Sequence, residues 1–316
     1  EGRTPFDRFV SRGDIKDIID IPAPRNGIDN TIIKNIVSVM KNKNSRFIPI
    51  LGSAGSGKTH AFWAFKDKEN QAETNRYPGW TIVYVPSPPA AVRTLFHIYT
   101  CITNEIPDFC EVVANVLVER FAGEERATGV YQKDVFEGVV EKITKHYPPE
   151  FSDPIKALVT YGLHGNRKMR NLAKRWILGE VIEEQEIEDL GIHTVIEEDA
   201  ICMAMIRLIA ENYLEKVVVL FFDEFESPFR THGNDAERRF IEAISRIYHE
   251  TNNIVIIGAV LKEVWEIILE MFDDEFKGEM ETPLHLKPFS FSDVETLFKR
   301  SQMLYWKENE LAPLRG

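Results

Sequence analysis

The chain has 316 residues, 44% of them apolar and 28% charged, and carries a net charge of −12. Such a balance fits a soluble globular protein of one large domain or two ordinary ones, and it argues against a dedicated nucleic-acid-binding module, whose surface would be basic. Cys101, Cys110 and Cys202 include no Cys-x-x-Cys pair, and the eight histidines show no ligand spacing with them. A disulfide scaffold or zinc site is therefore not expected, and a reducing, cytoplasmic setting is the simplest reading.

Residues 1–29 hold several Pro and Gly punctuators and read as an arm lying on the core. The start, Glu1 to Phe6, lacks both an initiator Met and the apolar core of a secretory leader, so it reads as the start of a processed or partial chain. Ile32, Ile33, Ile36, Val37, Val39 and Met40 recur at helical spacing, which predicts a helix over Thr31–Lys41 with Asn30 as its N-cap. Arg46 to Leu51 is a short apolar run, readable as a buried strand, although Pro49 removes one ladder donor.

The next residues, Gly52-Ser53-Ala54-Gly55-Ser56-Gly57-Lys58-Thr59, fit Gly-x-x-x-x-Gly-Lys-[Ser/Thr], the phosphate-binding loop of nucleotide triphosphatases. Phosphate must lie against a row of backbone N–H groups, and residues without side chains let the backbone come close enough. His60 to Lys66 reads as a helix start whose positive dipole end would face the phosphates. Strand, Gly-rich turn and helix is the setting the motif needs, which sets aside an ordinary Gly/Ser loop. Gly52 to His60 are thus the expected nucleotide-binding residues. Lys58 would reach the β- and γ-phosphates and Thr59 would complete a Mg²⁺ shell.

Trp80–Val85 reads as a second strand ended by Pro86-Ser87-Pro88-Pro89, and Ala90 to Thr103 as a helix. Residues 104–199 change character: apolar residues keep helical spacing, strand-like runs are scarce, and charge is high. They read as a helical insertion. A basic block from Arg167 to Arg175 could touch a phosphate backbone with Trp176 available for stacking, but the acidic block Glu180–Asp189 beside it favours internal pairing.

Alternation then resumes: a helix over Ala200–Glu215, a strand over Lys216–Phe222, a helix over Asp235–Glu250 and a strand over Ile254–Val260. A helix over Leu261–Phe272 and a short strand near Leu284–Leu286 complete the pattern. Continuous apolar strands between helices predict an α/β fold with a mainly parallel sheet covered on both faces. The organisation expected is a core of 30–103 and 200–288, the arm before it, the insertion within it, and from 289 to 316 the start of a C-terminal lid. No apolar stretch is long enough to cross a bilayer.

The strand Val217–Phe222 ends in Asp223-Glu224. Open parallel sheets bind ligands beyond the carboxyl ends of their strands, where the Gly52–Thr59 loop is also expected. Asp223 is therefore the second expected Mg²⁺ group, directly or through water, since Mg²⁺ prefers carboxylate oxygen and keeps several waters. Glu224 would polarise the attacking water. His232, in the loop beyond, could touch nucleotide or partner, though a loop histidine is more often just solvated.

The pairing of Gly52–Thr59 with Asp223-Glu224 after an apolar strand resembles the AAA+ P-loop ATPases. The run Leu220 to Glu226, with Leu286-Lys287-Pro288-Phe289 leading into a capping box of Ser292 and Glu295, is most similar to the origin-recognition and Cdc6-like branch. The long helical segment is a looser likeness to large archaeal and bacterial P-loop ATPases, some of them in phage defence. The resemblance implies an ATPase with ATP and Mg²⁺ as ligands, Lys58 and Glu224 as catalytic residues, and Ser87 as a polar residue restraining Glu224. It also implies ATP or ADP exchange, with a homo-oligomer or larger complex as the assembly to look for. DNA fits the lineage but not the net charge, and no membrane partner is expected.

The sequence also departs from that family. The strand that should end in a polar sensor ends Gly258-Ala259-Val260, Glu266 to Met280 holds no arginine finger, and Arg230, Arg238, Arg239 and Arg246 do not match its position. A rival expectation is thus a nucleotide-gated switch or scaffold with little hydrolysis, acting on a protein partner.

Overall fold

The computed structural model describes residues 13, 19–75, 79–88, 93–122, 133–213, 216–228 and 234–308. Five strands form one parallel sheet in the order β2-β3-β4-β1-β5: β1 (Arg46–Gly52), β2 (Trp80–Val85), β3 (Val217–Phe222), β4 (Ile254–Leu261) and β5 (Leu284–His285). The four longer strands fall within a residue of their predicted bounds because each is a mainly apolar run buried on both faces.

The faces separate by parity. Val217, Val219 and Phe221 of β3 point to a core shared with α1 (Asn26–Asn42) and α2 (Lys58–Asn75). Val218, Leu220 and Phe222 point to a larger core shared with α3 (Thr94–Glu105), α9 (Asp199–Asn212) and α10 (Asn234–Glu250). Chain direction explains the split. From β1 the chain runs outward to the edge strand β2, then back through β3 and β4 and past β1 to β5. Right-handed crossovers therefore put α2 on one face and the later helices on the other. Connections leaving β1 and β4 diverge to opposite faces, which opens a crevice at the carboxyl ends of these neighbours.

Pro49 sits inside β1 opposite Gly258. On the β5 side, Glu281 N–H donates to the Phe47 carbonyl and Leu286 N–H to that of Leu51. Pro49 shares their parity, so its missing donor faces the stretch before β5 begins at Leu284 and no ladder bond is lost.

The regular structure described within residues 104–199 is all helical: α4 (Phe109–Ala122), α5 (Lys133–Thr144), a 3₁₀ turn (Pro149–Phe151), α6 (Ser152–Leu163), α7 (Arg167–Ile177) and α8 (Glu184–Leu190). Their apolar faces join the larger core continuously with α3 and α9, so the segment extends that face of the sheet. After β4 come α11 (Trp265–Met271), α12 (Asp274–Glu279) and, beyond β5, α13 (Phe291–Glu308).

Local differences from the expectations have identifiable causes. Helix α1 begins at Asn26, so Asn30 lies inside it and is not its cap. A 3₁₀ turn, Ala23–Arg25 with Pro at its start, launches the helix early, and the buried Arg25–Asp29 ion pair ties its first turn. Helix α3 starts at Thr94 because Arg93 is left-handed at φ 67°, while part of the predicted start at Ala90 lies outside the described residues. The helix expected over Leu261–Phe272 is shorter, Trp265–Met271, because β4 runs on to Leu261, and a second short helix follows it, opened by Asp273, whose side chain accepts from Phe276 N–H. At α13 the reciprocal cap forms between Ser290 and Asp293: Ser290 N–H donates to Asp293 Oδ2 at 2.8 Å and Asp293 N–H to Ser290 Oγ at 3.3 Å. Ser292 is already helical, its carbonyl accepting from Thr296 Oγ1, and Glu295 pairs with Lys299. Among the described residues no helix is long and apolar enough to cross a membrane.

Candidate functional site

The Gly52–Thr59 loop leaves the carboxyl end of β1 at the crevice and turns straight into α2. Gly55 and Gly57 have φ of 72° and 88°, a left-handed backbone that residues with side chains adopt only at a cost. Gly52 meets a different demand, because a Cβ there would fall 2.2 Å from Ser56 Oγ. The loop closes by a turn from Ser56 N–H to the Ser53 carbonyl. Ser56 Oγ is buried without a hydrogen-bond partner among the described residues. The first amides of α2 have no acceptor within their own helix. An orphaned hydroxyl beside such amides suits a ligand rich in acceptor oxygens.

Lys58 Nζ turns back onto the loop, donating to the Gly52 carbonyl at 3.2 Å and the Ser53 carbonyl at 3.1 Å. Burial lowers its pKa from the usual lysine value, and the charges of Glu226, Asp223, Glu263 and Glu224 oppose that effect. Four carboxylate charges thus act on the lysine.

Thr59 Oγ1 donates to Asp223 Oδ2 at 2.7 Å across 164 positions of sequence. The two residues expected to share a Mg²⁺ ion are therefore neighbours. Asp223 is buried, its N–H continues the β2–β3 ladder to the Val85 carbonyl, and Oδ1 accepts from Glu224 N–H at 3.0 Å. Glu224 is exposed and left-handed at φ 48°, a strained conformation for a residue with a side chain. Its carboxylate makes no hydrogen bond or ion pair among the described residues. Ser87 does not bond to it, so the expected restraint from the end of β2 is not formed.

Three residues join the site without having been singled out in the sequence. Tyr84 OH donates to Asp223 Oδ2 at 2.8 Å. Glu226, 5% exposed, accepts Leu261 N–H on Oε2 at 3.2 Å, while Phe225 N–H donates to the Ala259 carbonyl. The turn after β3 is thereby fastened to the end of β4, the place where a polar sensor was sought. Asp20 of the arm holds His60 Nε2 at 2.9 Å and Arg25 Nη2 at 2.8 Å. Burial works against the Asp20 charge, but the His60 and Arg25 hydrogen bonds hold the carboxyl well below the usual range. Only Glu226 left a trace in the sequence, as part of the Leu220–Glu226 run.

Other expectations fall elsewhere. His232 and Arg230 lie outside the described residues. Arg238 and Arg246 pair with Glu242 and Glu250 along α10. Arg175 pairs with Glu186 and Glu180, joining the basic and acidic blocks. Trp176 is buried with Nε1–H on the Thr194 carbonyl, so it is not a surface for base stacking. Phe62 and Phe65 are buried under the sheet as core. No group of three or more metal-ligating His, Cys, Asp or Glu occurs among the described residues. The three cysteines are unpaired, with burial pushing Cys101 and Cys110 up to about 12. A polar cleft of about 420 Å³ lies between α9, the end of α10 and the turn before β4, where Arg207 and Arg246 are already paired with Glu211 and Glu250.

Compared with protein-family models and with curated proteins, the chain matches none of them.

Proposed function

We propose that this chain is a P-loop ATPase of AAA+-like type that binds ATP with Mg²⁺ and couples binding or hydrolysis to a change in conformation. The observation that carries the reading is the Thr59–Asp223 hydrogen bond: a motif hydroxyl and a strand-end carboxylate meet at the crevice of a parallel sheet. The buried, unpartnered Ser56 hydroxyl and the left-handed glycines support phosphate as the ligand. In this reading the loop amides and Lys58 hold the phosphates, and Thr59 and Asp223 serve Mg²⁺, which neutralises phosphate charge when bound. Glu224 orients water. Nucleotide titration and phosphate release test it together. Lys58→Ala is expected to weaken ATP binding by about a hundredfold, as loss of charge-assisted bonds implies. Glu224→Gln is expected to keep binding and slow phosphate release by about 10²–10³-fold. Undiminished ATP binding by Lys58→Ala would sink the reading.

The Glu224 geometry favours a second reading. Its exposed carboxylate has no partner fixing it, and β4 ends in apolar side chains, so a nucleotide-gated switch with little hydrolysis fits this arrangement. That reading expects wild-type turnover to be negligible and unchanged by Glu224→Gln, with binding still lost in Lys58→Ala.

A further inference from the structure

We infer that Tyr84 is a positioning residue of the magnesium site, holding Asp223 so that it serves the ion through water, and that the amino-terminal arm seats this tyrosine. The inference rests on the nucleotide reading above.

Sheet register is the starting point. Tyr84 stands opposite Phe221 and Val85 opposite Phe222, so the last residues of β2 flank Asp223 as it leaves β3. Tyr84 points to the α2 side, its ring tilted against Phe62 at 4.9 Å, and its hydroxyl reaches Asp223 Oδ2. Thr59 donates to that same oxygen. A carboxylate offers about four lone-pair positions over its two oxygens. Two hydroxyl donors thus fill Oδ2, and Glu224 N–H takes one position on Oδ1. A metal ion that ligated Oδ2 directly would have to displace one of these bonds. Thr59 can keep its bond to Asp223 and still offer an oxygen lone pair to a cation, so the threonine would hold the ion directly and Asp223 would act as the outer carboxylate.

The arm enters at Gly13. A Cβ on Gly13 would fall 2.0 Å from the Tyr84 ring carbon Cζ and 2.4 Å from its hydroxyl oxygen. The glycine backbone therefore lies directly on the tyrosine hydroxyl, and any side chain there would force the arm and the ring apart. Asp20, seven residues further along the arm, is fixed to His60 beside Thr59. Arm, tyrosine and carboxylate form one contact chain.

The experiment uses Mn²⁺ as a spectroscopic stand-in for Mg²⁺. Binding of a fluorescent ATP analogue is measured in EDTA, and Mn²⁺ binding to the nucleotide complex by electron paramagnetic resonance. Tyr84→Phe keeps the ring against Phe62 and removes only the hydroxyl. It is expected to leave nucleotide affinity in EDTA unchanged and to weaken Mn²⁺ by about tenfold, the scale of a hydrogen bond to a charged group. Gly13→Ala, which alters no atom of the site, is expected to weaken Mn²⁺ in the same direction. Unchanged Mn²⁺ affinity in Tyr84→Phe overturns the inference while the nucleotide reading survives. Equal loss of nucleotide and metal affinity overturns it too, because a merely structural tyrosine would act so. If the wild-type chain binds no nucleotide in either medium, both readings fall.

Discussion

Asp20 and His60 share a hydrogen bond of 2.9 Å, although one lies in the arm and the other one residue past Thr59 on α2. The Asp20 backbone carbonyl also accepts from Arg300 of α13, so a single arm residue touches the start of α2 and the C-terminal helix at once. The folded pKa of Asp20 lies below its unfolded value, near 3.9 for an ordinary aspartate. Its contribution is therefore complete above that value and is lost as pH falls toward the folded one. Asp20→Asn is expected to lower the thermal midpoint by about 1–3 °C at neutral pH, a small effect because screening weakens a partly exposed pair. Thermal scans from neutral to strongly acid pH should show the difference from wild type shrinking below the aspartate range. A difference that grows in acid would contradict the assignment.

Glu226 has a structural task separable from its charge. Its Oε2 accepts the Leu261 amide in a buried position. Glu226→Ala would strand that donor, at about 1–3 kcal/mol, whereas Glu226→Gln keeps an acceptor and should cost less. Urea unfolding of the two variants checks the order. Equal losses would mean that the carboxylate charge facing Lys58, and not the hydrogen bond, carries its stabilising effect.

The sheet and the two halves of the candidate site were legible because each is written in contiguous residues. β-Branched runs mark the strands, and Gly52–Thr59 and Asp223-Glu224 are each a local motif. Tyr84 was not legible: its role depends on the pairing of β2 with β3, a register no local pattern encodes. Asp20 was hidden for a similar reason, since the arm reaches α2 across 40 positions. Helix starts failed where two signals competed, as at Asn30, where the Pro-rich 3₁₀ turn and the Arg25–Asp29 pair outweighed a good capping residue.

Gly52 and Ser56 form a steric pair, so their substitutions should not add. Gly52→Ala places a methyl 2.2 Å from Ser56 Oγ and must push that side chain or the loop aside. Nucleotide affinity is expected to fall by about tenfold or more, the usual scale for a displaced binding element. Adding Ser56→Ala removes the clashing oxygen and should recover part of the loss, because residues in contact couple. Nucleotide titration of the two single variants and the double variant decides. Additive losses would show that Gly52 is needed for something other than room for Ser56.

The start of α13 offers a choice between two serines only two positions apart. Ser290 exchanges hydrogen bonds with Asp293, and its hydroxyl also donates to Asp293 Oδ2 at 2.6 Å, whereas Ser292 lies within the helix. The side-chain and backbone bonds from Ser290 hold the Asp293 carboxyl below its usual range. Ser290→Ala is expected to raise amide hydrogen exchange in the first turn of α13 by about fivefold, the scale of a lost N-cap. Ser292→Ala should leave it nearly unchanged. The lowered carboxyl sets the pH dependence: the cap is intact above the ordinary aspartate range and weakens as acid protonates Asp293. Exchange in wild type should therefore approach that of Ser290→Ala as the pH drops, once intrinsic exchange rates are divided out. A larger effect from Ser292→Ala would return the cap to Ser292 and Glu295.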